Sequence, residues 1–284
     1  MGESRLTLDP RIYQIAVLAA LLTYGLLALN FDVSALQCVL VVAAALATQA
    51  VCTRIVRLPT FDPKSALISS LSLCLLLRTN HLALAVFAAV LTIALKFAFR
   101  VRNKHVFNPT NGTLFVLLLV DAPIWLSPGQ WGSAAFFAFL MACLGGLVVN
   151  RAARSDVTFA FIAFYGALVV GRSLALGEPL TIPLHRLENG ALLLFTFFMI
   201  SDPKTTPDSR VGRVFFALLV ALGAYVVQFK LFRTNGLIWS LGAFSLLVPV
   251  IDRILPGARY AWAKPAPTTI PALVDGELSS TSPA

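Results

Sequence analysis

Ser201-Asp202-Pro203-Lys204-Thr205-Thr206-Pro207-Asp208-Ser209-Arg210-Val211-Gly212-Arg213 is the densest polar run in an otherwise apolar chain. Short greasy segments flank it, Glu188–Ile200 before and Val214–Phe229 after. Pro203 and Pro207 forbid a continuous helix and push Asp202 and Thr206 towards extended backbone. The run carries three cations, two carboxylates and four hydroxyls. At a membrane helix end such a set can hold an anionic ligand through charge-assisted hydrogen bonds. It can equally be a solvated, cationic loop that only sets topology.

The fold class follows from what surrounds this run. Of 284 residues, 58% are hydrophobic and 12% charged, with a mean hydropathy of +0.84. Soluble domains carry about 25% charged residues, so the chain reads as an integral membrane protein. Its net charge of +9 sits at the ends of apolar runs, which points to membrane orientation and away from nucleic acid. Residues 1–12 have no cleavable-leader pattern, so the first apolar run is expected to be a retained span. The stretch 264–284, rich in Pro, Ser and Thr, is expected to be a disordered tail. Cys38, Cys52, Cys74 and Cys143 lie in apolar runs without CxxC spacing and read as small core hydrophobes; His81, His105 and His185 are scattered, and no metal site is expected.

Ten apolar segments follow from the charge, Gly and Pro boundaries: Tyr13–Leu29, Val33–Val56, Ser65–Leu77, His81–Phe99, Gly112–Val120, Ser133–Val149, Val157–Leu176, Asn189–Ile200, Val214–Phe229 and Gly236–Ile251. A crossing takes about 20 residues, so the third, fifth and eighth stop inside the bilayer or are completed by shielded polar residues. With ten crossings, Arg78, Arg172, Arg186, Lys230 and Arg233 face one side and the other 17 of the 22 Lys and Arg face the opposite side. That asymmetry predicts cytoplasmic termini. Lys96, four residues before Arg100, is expected to snorkel to that surface. Arg172 either snorkels outward or meets a ligand phosphate.

An internal repeat points to two halves, 13–125 and 131–254. Thr110-Asn111-Gly112 opens the fifth segment and Thr234-Asn235-Gly236 the tenth; Ser65-Ala66-Leu67 opens the third and Gly190-Ala191-Leu192 the eighth. Five segments per half is an odd number, so the halves face opposite ways, and inverted halves with short broken helices place ligand sites between them. Asn108-Pro109 and Asp202-Pro203 read either as ligand loops or as the breaks that such short helices need. Ser69, Ser70, Ser72 and Thr196 either line a polar path or bond back to their own helices.

Three motifs in order resemble one membrane family. Lys104-His105-Val106-Phe107-Asn108-Pro109-Thr110-Asn111-Gly112 is similar to its KHxFNPxxxG-like stretch. Phe198–Pro203 through Arg210–Arg213 is similar to its DP…GR stretch, and Asn235–Arg253 to its closing helix. The family is NqrB/RnfD, whose members are membrane subunits of the sodium-pumping NADH:quinone reductase and of the Rnf electron-transport complex. The resemblance implies an all-α, urea-transporter-like fold of ten segments in two inverted repeats, in a bacterial inner membrane with other electron-transport subunits. It also implies FMN or riboflavin. The family esterifies FMN to a Thr of an SGAT-like sequence. Thr181 stands at that place here, but Glu178-Pro179-Leu180 replaces the small lead-in, which argues against covalent attachment.

The expected site is a polar lining at the half-helix junctions: Asn108, Asn111, Gly112, Asp202, Lys204, Thr205, Thr206, Arg210 and Asn235. No catalytic acid or nucleophile stands out. The expected role is flavin binding and electron relay, coupled to cation transport. The alternatives are a small-solute transporter or channel on the same scaffold and an assembly partner without chemistry of its own.

Overall fold

The computed structural model describes residues 9–102, 104–127 and 155–260. Residues 1–8, the sixth expected segment Ser133–Val149 and the 264–284 tail lie outside the described residues. The first part contains α1 (Pro10–Leu27), α2 (Ala35–Ile55), α3 (Pro63–Leu76), α4 (Leu82–Ala98) and α5 (Pro109–Leu119). The second contains α6 (Ser155–Leu176), α7 (Thr181–Leu187), α8 (Gly190–Leu194) with a π turn at Phe195–Met199, α9 (Arg210–Phe229), α10 (Gly236–Ser245) and α11 (Val248–Ile254). Helices α2, α6 and α9 are long and apolar enough to cross a membrane; α10 and α11 make a fourth candidate if taken as one bent span.

Capping chemistry moved several boundaries. The Asn108 side chain accepts from the Asn111 N–H and starts α5 at Pro109, three residues before Gly112. The Ser209 hydroxyl accepts from the Gly212 N–H, so α9 starts at Arg210 and absorbs the end of the polar run. The two Thr-Asn-Gly triplets therefore occupy different positions: the first lies inside the opening turn of α5, whereas Asn235 is the residue before α10. The helix starts themselves agree better, since Pro63 and Gly190, like Pro109 and Gly236, are 127 residues apart. The tenth segment is not continuous: the chain bends by 51° between α10 and α11. Pro249 lacks an N–H and its ring would strike the carbonyl of Ser245, the last residue of α10.

The short helices end where backbone groups need partners. Helix α3 has 14 residues and α5 has 11, or about 21 and 17 Å. Leu77–Arg78 (β1) pairs antiparallel with Trp125–Leu126 (β4), so the two ends satisfy each other. Arg100–Val101 (β2) pairs with Lys104–His105 (β3). Among the described residues these two ladders are the departure from a purely helical chain. Arg78, expected in an outer loop, is 2% exposed; its Nη1 donates to the carbonyls of Cys74 and Leu77 at 2.9 Å. A cation on the last carbonyls of α3 suits the negative helix end.

Helix α2 packs on α3 and α4, α1 on α3, α6 on α9, and α9 on α10; α10 also reaches α5 in the first part. Small residues permit the close approach. Ala85, Ala88 and Ala89 of α4 and Ala217, Ala221 and Ala224 of α9 are fully buried. A Cβ on Gly236 would stand 2.7 Å from the Ala224 carbonyl oxygen, so the start of α10 touches the backbone of α9.

Candidate functional site

A cavity of about 280 Å³ opens where the starts of α3 and α5 meet the end of α4 and the chain after the π turn. The short helices supply its walls: Ser65, Ser69 and Ser72 from α3, Asn108, Pro109 and Thr110 from the start of α5, and Phe197, Phe198, Ser201 and Asp202 from the far side. A second cavity, of about 320 Å³, has Leu76 from the end of α3 and Leu126 beyond α5 on one wall. Its other wall is formed by Asn189–Leu192 and Thr234–Ile238, the starts of α8 and α10. Helices α3 and α8, the latter with its π turn, thus run in opposite senses between the two cavities.

Asn108, Asp202 and Lys204 come together in the first cavity. Asn108 Nδ2 donates to Asp202 Oδ2 at 3.2 Å, and Asp202 Oδ1 accepts the Lys204 N–H at 3.0 Å. Thr205 and Thr206 turn inward, their hydroxyls donating to the Asp202 carbonyl at 3.3 and 3.2 Å. They brace the loop and do not line the cavity. Asn111 is fully buried behind it; Nδ2 donates to the Ile238 carbonyl at 3.3 Å, while Oδ1 has no hydrogen-bond partner among the described residues. Gly112 packs against Phe107. Arg210 is exposed at the start of α9. Asn235 lines the second cavity, in left-handed backbone with φ +61°. Thr181 is exposed at the start of α7, outside both cavities.

Lys96, Gln49 and His105 also line the first cavity. Lys96 does not snorkel. It is 5% exposed, and its Nζ donates to Gln49 Oε1 and, at 3.0 Å, to Ser65 Oγ. Arg100, also on the cavity lining, holds its guanidinium 4.9 Å over the Phe97 ring with Nε donating to the Lys96 carbonyl. The sequence signal was a Lys and a Gln, each set well inside a largely apolar helix; such side chains turn towards one another to escape lipid. His105 Nδ1 lies 2.9 Å from the Lys96 carbonyl, so that nitrogen carries the proton and donates. Burial and the nearby charges of Arg100 and Lys96 push the His105 pKa down to about 4, which keeps the ring neutral. Burial also lowers the Lys204 pKa from its ordinary value.

Ion pairs gather around this end. Arg11 bridges Asp9 and Asp62, and Lys64 also reaches Asp9 at 2.9 Å. Lys104 joins the parts, 2.9 Å from Asp208 and 2.6 Å from Asp252. Arg213 pairs with Asp156. Arg172 settles on a local partner, Glu178 at 2.9 Å, beneath the Phe229 ring. Ser69, Ser70 and Thr196 bond back to their own helices, although Ser69 also lines the cavity.

The model of the NQR2, RnfD, RnfE family matches residues 118–261, half of the chain. The chain belongs to this family. The match takes in the Asp202–Arg213 run and Asn235 and starts after Asn108–Gly112. Among the curated relatives, the chain is similar to three that are each named as the D subunit of an ion-translocating oxidoreductase complex. The protein of Erwinia tasmaniensis is 27% identical over 43% of this chain and 34% of its own length. That of Stutzerimonas stutzeri is 28% identical over 45% and 37%. That of Buchnera aphidicola is 27% identical over 28% and 22%. The chain spans between about a fifth and two fifths of the length of these relatives. Family and apolar helices together make it a multi-pass membrane protein.

Proposed function

We propose that this protein is an integral membrane component of an ion-translocating electron-transport system, and that it holds FMN or riboflavin non-covalently in the cavity between Asn108 and Asp202. The observation that carries the reading is the junction itself. The capped start of one short helix and the end of another meet across a polar cavity, joined by the Asn108–Asp202 hydrogen bond. Family membership and the names of the relatives support the redox role.

The lining fits a flavin. Its volume of about 280 Å³ is just below the range of small-molecule sites, about 300–1,000 Å³, and is too small to enclose a dinucleotide. Phe97, Phe197 and Phe198 offer aromatic surface, while Asn108, the serines and His105 offer donors and acceptors for a ring edge. When bound, the isoalloxazine supplies the electron chemistry. The protein's own part is positional. Asn108 and Asp202 fix the polar wall, neutral His105 presents an acceptor nitrogen, and the phenylalanines limit water. Thr181 lies outside this cavity, in keeping with non-covalent binding.

Ten segments in two inverted repeats complete the proposal. Support comes from the 127-residue spacing of the short-helix starts and from the opposed directions of α3 and α8. A matched pair of polar ties adds to it: Gln49 of α2 with Lys96 of α4, and Tyr165 of α6 with Gln228 of α9 at 2.8 Å. The orientation proposed is cytoplasmic for both termini.

The test is the absorbance of the purified protein in the flavin bands before and after acid precipitation. Colour that moves to the supernatant is the expected result. A colourless protein overturns flavin binding, and colour retained in the pellet overturns the non-covalent mode. A second reading, a small-solute transporter or channel, is favoured by the second cavity of about 320 Å³ at the opposite end. Solute uptake into proteoliposomes by a colourless protein is the result that selects it.

A further inference from the structure

Lys96 is a charged group that the topology does not require. Arg100 already supplies the cation at the end of α4, and Lys96 instead lines the cavity at 5% exposure. Four cations line this cavity: Arg11, Lys96, Arg100 and Lys204. Arg11 is paired with Asp9 and Asp62, while Arg100 and Lys204 are more exposed. Lys96 alone among these four is under a tenth exposed, and no carboxylate of the described residues lies within ion-pair distance of it. Its two hydrogen-bond partners, Gln49 Oε1 and Ser65 Oγ, are neutral. An ammonium has three N–H donors, so two are used and one is left.

Burying an ammonium against neutral oxygens alone is costly, and an apolar side chain there would be cheaper. Two features offset that cost only in part: the hydrogen bonds that tie α4 to α2 and α3, and the face of the Phe97 ring 5.4 Å away. The carboxylates that share the cavity are already engaged, Asp202 with Asn108 and the Lys204 N–H, Asp62 with Arg11. Lys96 therefore has no carboxylate in direct contact; Asp62 and Asp202 act on it only from further away across the cavity, and the ammonium faces the space where a ligand sits.

We infer that Lys96 is a positioning and charge-compensating residue for the cavity's ligand, and that it favours the form carrying negative charge. Resting on the flavin reading above, this names the redox state that the site prefers: the anionic reduced ring over the neutral oxidised one. A fixed cation beside a group that gains negative charge stabilises it most strongly in a cavity of low dielectric, where little water screens the pair. Gln49 and Ser65 hold the ammonium in place, so the charge is set before the ring is reduced.

The experiment titrates the midpoint potential of riboflavin or FMN bound to the full chain, by absorbance under controlled potential. It compares the wild type with Lys96→Gln, Lys96→Met and Lys96→Arg. Both neutral variants are expected to bind oxidised flavin but to lose at least tenfold in preference for the reduced form. That loss lowers the potential by about 30 mV for a two-electron couple. Lys96→Arg is expected to restore the preference to within threefold. Equal potentials in the wild type and either neutral variant overturn the inference and leave flavin binding standing. Loss of oxidised-flavin binding in all three variants also overturns it, since Lys96 would then be a structural pin. A wild type that binds no added flavin overturns the flavin reading and this inference with it.

Discussion

Asn108 and Asp202 lie 94 residues apart and share a hydrogen bond of 3.2 Å at the wall of the cavity. Each stands before a proline, and each marks the end of a helix too short to span a bilayer. The bond closes the gap between the two parts of the chain and aims both side chains at the same space. A carboxylate at such a junction is expensive to keep.

Asp202→Ala is expected to abolish flavin retention while the protein still inserts and purifies. Asp202→Asn keeps an acceptor for Asn108 and for the Lys204 N–H and is expected to retain part of the binding. Flavin-to-protein absorbance ratios, with membrane-fraction yield as the control, check both. An Asp202→Ala protein as yellow as the wild type would make this residue a topological spacer.

Lys104 holds Asp208 and Asp252 together, and its side chain is 14% exposed against 10% and 14% for the partners. Lys104→Met leaves two carboxylates facing each other and is expected to cost about 2 kcal/mol, below the range for a fully buried pair because some solvent remains. Replacing Asp208 and Asp252 by Asn in the same protein is expected to recover part of the loss. Thermal unfolding midpoints in detergent measure both.

The site carries its own pH dependence. The folded pKa of His105, about 4, is below its ordinary value of 6.5. Between these two pH values the unfolded chain binds a proton that the folded chain does not, so stability falls as pH drops from 6.5 towards 4. The slope approaches about 1.4 kcal/mol per pH unit at most. His105→Gln is expected to flatten this part of the stability profile, as measured by unfolding midpoints between about pH 4 and 7.5.

Gly236 admits no side chain without movement, because its missing Cβ would meet the Ala224 carbonyl oxygen at 2.7 Å. Gly236→Ala is expected to push α10 away from α9 and destabilise the protein by about 1–3 kcal/mol. Gly171, where an added Cβ meets nothing within 4 Å, serves as the control: Gly171→Ala is expected to be neutral or slightly stabilising.

Single cysteines at Arg57 and at Arg186, in a background lacking the four native cysteines, test the proposed orientation. A membrane-impermeant thiol reagent applied to intact cells is expected to label the Arg186 position and spare the Arg57 position. The reverse pattern would turn the protein over.

Composition and the spacing of charges were enough to read a membrane protein of short and long apolar segments, and the segments within the described residues are helical to within a few residues, the eighth with a π turn and the tenth as two helices. Their ends shifted where a cap outweighed hydropathy, as at Asn108 and Ser209, because one side-chain hydrogen bond to a free N–H decides where the first turn closes. The bend at Pro249 was present in the sequence but was outweighed by the apolar run around it. The matching Thr-Asn-Gly triplets stand three residues off the spacing of the helix starts that they open, since matching letters do not have to occupy matching turns.

What the sequence determined by itself is therefore the solvent of this chain, the approximate segments and the two proline junctions, all of which follow from local hydropathy and backbone chemistry. Only the tertiary structure decided which polar groups meet. Lys96 turned inward to Gln49 and Ser65, Arg78 closed the end of α3, and Asn235 went to a different cavity from Asn108. Those outcomes depend on which helices lie side by side, and a lone polar residue in an apolar run carries no mark of its partner until packing leaves it a choice between that partner and lipid.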